Sequence, residues 1–456
     1  MMRNRTGGFM SVALAAALLY VNASAVAADD LTPVGAERAA GKDGLVPAFA
    51  GRQAPQAGWE YGKTRGDFWK HRNEKPLYTI DASSVDKYAD KLSPGQIALV
   101  KQMKGYRMDV YPSHRECQLP DTAEQNSKAN LADAKLGPSG ETIQTATFPG
   151  VAFPQPKNGA EAILNFETRY RGQAVEWAPV VTSVSPRPGS NDWIEIGGTQ
   201  INYTPTGKDG KATPQGVDQL SIAGYFSATM PAALAGQAVV QRQYFDKESD
   251  TYYYFPGQRR VRRMPAYVHD APQIGFENQY LIDEVNMFNG AIDRFNWKLV
   301  GKREMLVPYN AFGMYDFKRK LRDVATPNGI AADGRRYEVH RVWVVEGTLK
   351  PTARHASSKK VFYLDEDSWL ALVGEDYDAQ GKLWKVRESY PIPVWELGGA
   401  CDNEPFVQYD LSNGRYVFDG SSIGQGKDIR WYKETSDPRF KADFFTAESL
   451  RSVSER

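Results

Sequence analysis

The chain has little cysteine and little histidine: two cysteines in 456 residues, Cys117 and Cys401, and five histidines, His71, His114, His269, His340 and His355. No two histidines stand at i, i+4, there is no H-E-x-x-H, and two distant cysteines make no zinc knuckle, so no metal centre and no cofactor is expected. His114 and Glu116 form an H-x-E that lacks the P-C-x-x-C of a zinc deaminase. No G-x-x-x-x-G-K-[ST] and no dinucleotide fingerprint follows a strand, which removes the usual phosphate cradles. An excess of one charge is also missing. The formal net charge is +1 with acids and bases interspersed, so nucleic acid is not an expected partner.

Long apolar runs are missing after the first one. Arg3 and Arg5 precede an apolar stretch over residues 9–21 that ends in Ala25, Val26 and Ala27. Residues 1–27 therefore read as a cleavable secretory signal peptide, too short for a permanent span, which needs about 20 apolar residues. No cysteine stands at the cleavage point to take a lipid, and the expected location is the periplasm. In that oxidising compartment Cys117 and Cys401 read first as a disulfide, with two separate buried thiols as the alternative.

What the sequence does have is aromatic residues, 12% of the chain with 24 Tyr and 10 Trp, a composition that favours strands over a helical bundle. Residues 28–80 read as an irregular extension draped over the surface, rich in Gly, Pro and charge. A helix is predicted over 83–92. Ser93 and Pro94 then cap a second helix whose apolar stripe is Ile97, Leu99, Val100 and Met103. Residues 118–149 are polar and read as an insertion or mobile loop. Ala162, Ile163 and Phe166 place a short helix in 158–171.

From about residue 175 onward the pattern is strand and turn: VEWAPVVTSV, WIEIGGTQINYTP, TYYYFPGQRRVRRM, WKLVGKREMLV, YEVHRVWVVEGTL, KKVFYLDED, WLALVGEDYD and LWKVRESY. The last three make successive hairpins with turns at 365–368 and 378–381. Few helical patterns intervene, which disfavours a parallel sheet.

Enzymatic signals are weak. Gly420, Ser421, Ser422, Ile423 and Gly424 fit G-x-S-x-G, but no acid-then-histidine order follows and no helix pattern succeeds the serine, so a turn is the better reading. Asp376, Asp378 and Gly381 lack the downstream glutamate of a calcium loop. No catalytic residue is assigned, and a hydrolase ranks third among the functional readings.

The segments LTPVGAERAAGKDG, YRMDVYPSHR, FPQPKNGAEAILNFETRYRG, PGQRRVRRMP, DEVNMFNGAIDRFNWKLVGKREMLVPYN, RVWVVEGTLKP and VFYLDEDSW together resemble the domain-of-unknown-function family numbered 1329, of Gram-negative envelope proteins. The resemblance runs from about Leu31 to Tyr390. It implies an α+β fold similar to the lipoprotein carriers LolA and LolB: a strongly curved antiparallel sheet, an unclosed β-barrel, with helices covering the concave face. On that basis residues 81–394 form the LolA-like domain, with a helical lid at about 83–171 and the sheet at about 175–390, and 395–456 form a C-terminal tail that packs back through Cys401 toward Cys117. The resemblance further implies an apolar small molecule or lipid as cargo, and an outer-membrane β-barrel protein and a resistance-nodulation-division transporter as partners.

Strand alternation offers candidate lining residues: Phe288, Trp297, Trp343, Tyr363, Trp369 and Trp384. Trp343 shares a face with Val345, Tyr363 with Val361, and Trp369 with Ala371 and Val373. Core packing is the competing reading for each of these aromatics. Arg260 and Arg262 share a face of their strand and suit a lipid headgroup or acidic partner, against a solvated hairpin paired with Asp283, Glu284 or Asp293. The expected function is a periplasmic carrier of a lipid or other apolar molecule; the alternative is a scaffold of an envelope transport complex without a ligand of its own.

Overall fold

A computed structural model describes residues 30–52, 56 and 58–455; the signal peptide expected at 1–27 lies outside the described residues. The two hairpins read from the sequence are present. Lys359–Asp365 pairs with Ala371–Tyr377, which pairs with Leu383–Ser389, and Asp and Gly supply the turns between them.

This meander lies within a sixteen-stranded sheet. Its order runs from Tyr78–Ile80 and Met108–Val110 through Tyr337–Leu349 and the meander to Phe406–Asp410 and Arg415–Ser421. It continues through Ala174–Val184, Ile194–Tyr203, Leu220–Met230, Ala238–Tyr244 and Asp250–Phe255 to Arg260–Arg263. Phe295–Pro308 also pairs with Tyr337–Leu349, and Arg430–Tyr432 with Ala174–Val184. The pairing is antiparallel except for one parallel bridge between Tyr337 and Val110. The sheet is mixed and does not close.

The expected tail from residue 395 is corrected by this order. Phe406–Asp410 and Arg415–Ser421 sit between Leu383–Ser389 and Ala174–Val184, so they join the two halves of the sheet. Only the last stretch packs back on the sheet: Phe440, Phe445 and Leu450 cover Ile201, Ala223 and Val240. A disulfide joins Cys117 to Cys401.

Helix α1, Pro94–Gln102, carries the expected cap. Ser93 Oγ accepts from Gln96 N–H at 3.1 Å, and the Gln96 side chain accepts from Ser93 N–H at 3.1 Å. Helix α2, Asp121–Asp133, stands where a mobile loop was expected. It has no apolar stripe to announce it. Its buried Asn126 and Asn130 donate instead to the carbonyls of Pro149 and Val151 at 2.8 and 2.9 Å, so side-chain amides replace the periodic apolar face. Helix α3, Gly159–Glu167, is capped by Asn158 and lies on Phe295–Pro308. A Cβ at Gly159 would stand 2.5 Å from Trp297 backbone, so glycine is what permits the approach.

Two shorter expectations also change. Residues 83–92 form a 3-10 turn, Val85–Lys91, rather than an α-helix. The N-terminal segment does not merely drape: Arg65 is fully buried between Glu396 and Asp428, at 2.6 and 2.8 Å, because a buried guanidinium needs carboxylates on its fork.

Candidate functional site

In Ile194–Tyr203, Leu220–Met230 and Ala238–Tyr244, directly opposite residues share a face. Gln200, Phe226 and Val239 form one row across the three strands, Asn202, Gly224 and Gln241 the next, and Ile222 with Gln243 a third. These rows floor a cavity of about 140 Å³. Its roof is Val285, Asn286, Phe288 and Asn289; its wall is Glu167, Arg169 and Arg171, at the end of α3. A second cavity of about 240 Å³ shares Glu167 and Gln243 and continues past Leu164, Phe245 and Ile292. Together they make one groove on this half of the sheet. Gly224 opens its floor, since a Cβ there would meet Asn202 Oδ1 alone, at 3.1 Å.

The roof is held down by buried charge. Asp283 accepts from His355 at 2.9 Å and pairs with Lys360 at 3.1 Å. Glu284 pairs with Lys385 at 2.5 Å and accepts from Gln408 at 2.8 Å. Asp376 joins the network through Arg387 at 2.7 Å. Burial acts to raise the Asp283 pKa, but Lys360 and His355 hold it well below the usual carboxylate range. Each ion has its partner, which is the condition for keeping charges out of water at all. The segment that bears Val285, Phe288 and Asn289 is thus clamped to Lys359–Asp365 and Leu383–Ser389.

The groove itself is less satisfied. Glu167 Oε1, Arg169 Nε and Asn286 Oδ1 are buried without a hydrogen-bond partner, a state that costs about 1–3 kcal/mol per group unless water or a ligand fills it. Burial pushes the Glu167 carboxyl up to about 8, against the lowering pull of Arg169 and Arg171, so near neutral pH it is a donor. Burial and then Arg171 lower the Arg169 pKa, yet a guanidinium keeps its charge at neutral pH. Arg169 Nη1 donates to Phe166 O at 2.9 Å and Nη2 to Asn403 Oδ1. The lining therefore pairs apolar surface from Phe226, Val239 and Phe288 with amides and two buried arginines, Arg169 and Arg171, chemistry suited to an amphipathic molecule. A wider hollow of about 320 Å³ lies at Tyr61, Glu176, Phe317 and Arg430, but Arg430 stacks on Tyr61 and the Tyr61 hydroxyl donates to Asp428 O.

Of the six aromatics singled out in the sequence, Phe288 lines the groove. Trp297 packs on it at 5.6 Å between ring centres. Trp343 stacks on Trp369 at 6.0 Å, and the Trp369 indole donates to Val34 O at 3.0 Å. Tyr363 lies on the other face, in the cluster around Cys117 and Cys401. Trp384 is half-buried beside Lys385. Trp343 and Val345 share a face as the alternation predicts. Trp369, Ala371 and Val373 do not: Trp369 sits in a turn at φ 61°, and the register shift between Tyr363 and Leu364 puts Ala371 in the main core and Val373 in the disulfide cluster.

Arg260 and Arg262 are exposed on the edge strand. Their expected partners Asp283 and Glu284 are occupied by the clamp, and the strand's ion pair is Arg263 with Asp250 at 2.6 Å. Ser421 and Ser422 are buried, with Ser421 Oγ accepting from Ile423 N–H, so the G-x-S-x-G stretch is the end of the strand Arg415–Ser421 and the turn that follows it. Sequence reading missed Glu167, Arg169, Gln241, Gln243 and Asn289. The one available signal was the charged run ETRYRG directly after an apolar helix.

An unclosed, mostly antiparallel sheet with a roofed groove over one half defines the class of protein. The family described as Protein of unknown function (DUF1329) matches residues 79–451. A Pseudomonas aeruginosa protein described as uncharacterized is 35% identical over 415 residues, 86% of this chain and 88% of that one. The chain belongs to this family, and the match extends past Tyr390 into the strands that join the two halves of the sheet.

Solved structures similar to the chain include a putative outer membrane lipoprotein-sorting protein domain from Vibrio parahaemolyticus, with TM-score 0.44 and 14% identity, covering 64% of this chain and 98% of that one. A DUF1329 family protein from Desulfovibrio piger has TM-score 0.37 and 15% identity, covering 60% and 92%. A LolA superfamily protein from Nitrosomonas europaea has TM-score 0.34 and 11% identity, covering 63% and 100%.

Proposed function

We propose that the protein is a periplasmic carrier that holds a lipid-like amphipathic molecule in the groove between the open half of the sheet and the clamped roof. The observation that carries this reading is the groove's mixed lining: the buried atoms Glu167 Oε1, Arg169 Nε and Asn286 Oδ1, which have no hydrogen-bond partner, beside Phe226, Val239 and Phe288. Of the two cargo classes expected from the sequence, a lipid or another apolar molecule, a purely apolar one would leave those polar atoms unsatisfied. An amphiphile places its head among the amides and arginines and its chain on the apolar rows, at about 0.8 kcal/mol per buried methylene. In this reading α3 and the roof act as the cover on the groove face, where a helical lid over about 83–171 was expected. The exposed edge strand with Arg260 and Arg262 is the face presented to a membrane or to a receptor, for which an outer-membrane β-barrel protein or a resistance-nodulation-division transporter remain the candidates. The signal-like N-terminus and the Cys117–Cys401 disulfide support the oxidising location.

Native mass spectrometry and solvent extraction of protein purified from its own envelope fraction test the proposal. A stoichiometric amphiphile is the expected result. Ligand-free protein that also takes up no fluorescent fatty acid or lysophospholipid would leave the scaffold as the better account.

A further inference from the structure

We propose that Glu248, His269 and Asp293 form a binding site for a divalent transition-metal ion at the outer end of the groove. His269 Nε2 lies 3.7 Å from Glu248 Oε1 and 3.8 Å from Asp293 Oδ1, and the three donor atoms fall within 4.8 Å of one another. These separations are too long for hydrogen bonds. Two donors on one tetrahedral ion, each about 2.0–2.2 Å from it, stand about 3.4 Å apart, so each imidazole–carboxylate pair needs a few tenths of an ångström of contraction, and the exposed Glu248 side chain can move to bring the two carboxylates, within 4.8 Å of each other, to the same spacing.

The second observation is the state of the donors. The His269 side chain is only 9% exposed, and both His269 Nε2 and Asp293 Oδ1 are buried with no hydrogen-bond partner. An unmatched imidazole nitrogen facing an unmatched carboxylate oxygen is what a cation between them would satisfy. The position of His269 is fixed from behind, because its own carbonyl accepts from Asp283 N–H at 2.8 Å and Asp283 belongs to the buried clamp. The competing cation is Arg294, whose Nε stands 4.0 Å from Asp293 Oδ1 and is itself without a hydrogen bond, so it does not fill the gap. Glu248 and Asp293 also line the second cavity; three protein donors leave a coordination position toward it.

Among the described residues, neither of the other two three-residue histidine–carboxylate groups has a buried imidazole nitrogen without a hydrogen-bond partner. At His71, Glu74 and His114, the glutamate already accepts from His114 at 2.8 Å and from Arg336 at 2.7 Å. At His340, Asp365 and Asp367, Arg115 takes Asp367 at 2.8 and 2.7 Å and His340 bonds Glu338 at 3.0 Å. Imidazole and carboxylate are both zinc ligands, and Zn²⁺ alone is the probe.

Isothermal titration of the chelator-treated full-length protein with Zn²⁺ tests the site. One equivalent is expected to bind, with affinity reduced at least about tenfold in Glu248→Gln and in Asp293→Asn, whose side chains are partly exposed and whose thermal midpoints should match the wild type, and abolished in His269→Ala. The paired variant His71→Ala, His114→Ala should bind as the wild type does. No saturable uptake, or uptake that the Glu248 and Asp293 variants leave unchanged, would overturn the assignment.

Discussion

Gly224 is the residue on which the open groove depends. Gly224→Leu places a side chain into the cavity while its Cβ meets only the movable end of Asn202. Amphiphile uptake is expected to fall at least about tenfold, with a thermal midpoint close to that of the wild type; unchanged uptake would mean that ligand sits elsewhere. Glu167 gives a pH prediction. Its folded carboxyl is raised by burial to about 8, so the folded state binds the extra proton between the unfolded value of about 4.3 and pH 8. Stability from this group is full below pH ~4 and falls as pH rises through that window. Glu167→Gln, which keeps the neutral shape, should therefore gain up to a few kcal/mol over the wild type at pH 9 and nothing at pH 4, read by urea unfolding. Asp283 behaves oppositely. Its carboxylate is held down by Lys360 and His355, so its contribution is present above pH ~4 and lost as pH falls through the folded value. Asp283→Asn should cost about 3–5 kcal/mol near neutral pH by removing a buried carboxylate from Lys360 and His355 and leaving Lys360 to Asp376 alone at 3.3 Å, and little in strong acid.

At the scale of elements, legibility in the sequence followed the chemistry of each strand. The hairpins around Lys359–Asp365, Ala371–Tyr377 and Leu383–Ser389 could be read because β-branched and aromatic residues alternate between turns of Asp and Gly. Leu220–Met230 and Ala238–Tyr244 could not, and they floor the groove. Their groove-facing positions are Ile222, Gly224 and Phe226, and Val239, Gln241 and Gln243; glycine and amides erase the apolar alternation that marks a strand. The site was hidden by the same polarity that makes it a candidate site. Phe406–Asp410 and Arg415–Ser421 were passed over as tail, yet they join the two halves of the sheet. A chain ending at residue 394 is expected to lose cooperative unfolding by circular dichroism and heat; a soluble, cooperatively folded product would contradict the topology. On the edge strand, replacing Arg260 and Arg262 with Gln should weaken binding to anionic vesicles without changing stability, since both side chains are exposed; unaltered binding would remove the headgroup role.

For the whole molecule, the two halves of the sheet differ in what fills them. The half built on Tyr337–Leu349 and the meander is packed on both faces, with aromatic and disulfide clusters that belong to structure rather than to cargo. The other half is packed by the C-terminal stretch on one face and leaves the opposite face as the groove. The buried clamp couples the halves: it rests on strands of the packed one and roofs the groove of the other. The most direct test is a titration of delipidated protein with a fluorescent lysophospholipid, wild type beside Gly224→Leu, followed by stoichiometry. The account predicts saturable binding of one molecule per chain in the wild type and its loss in the variant. Binding absent from the wild type, or equal in both proteins, would contradict it.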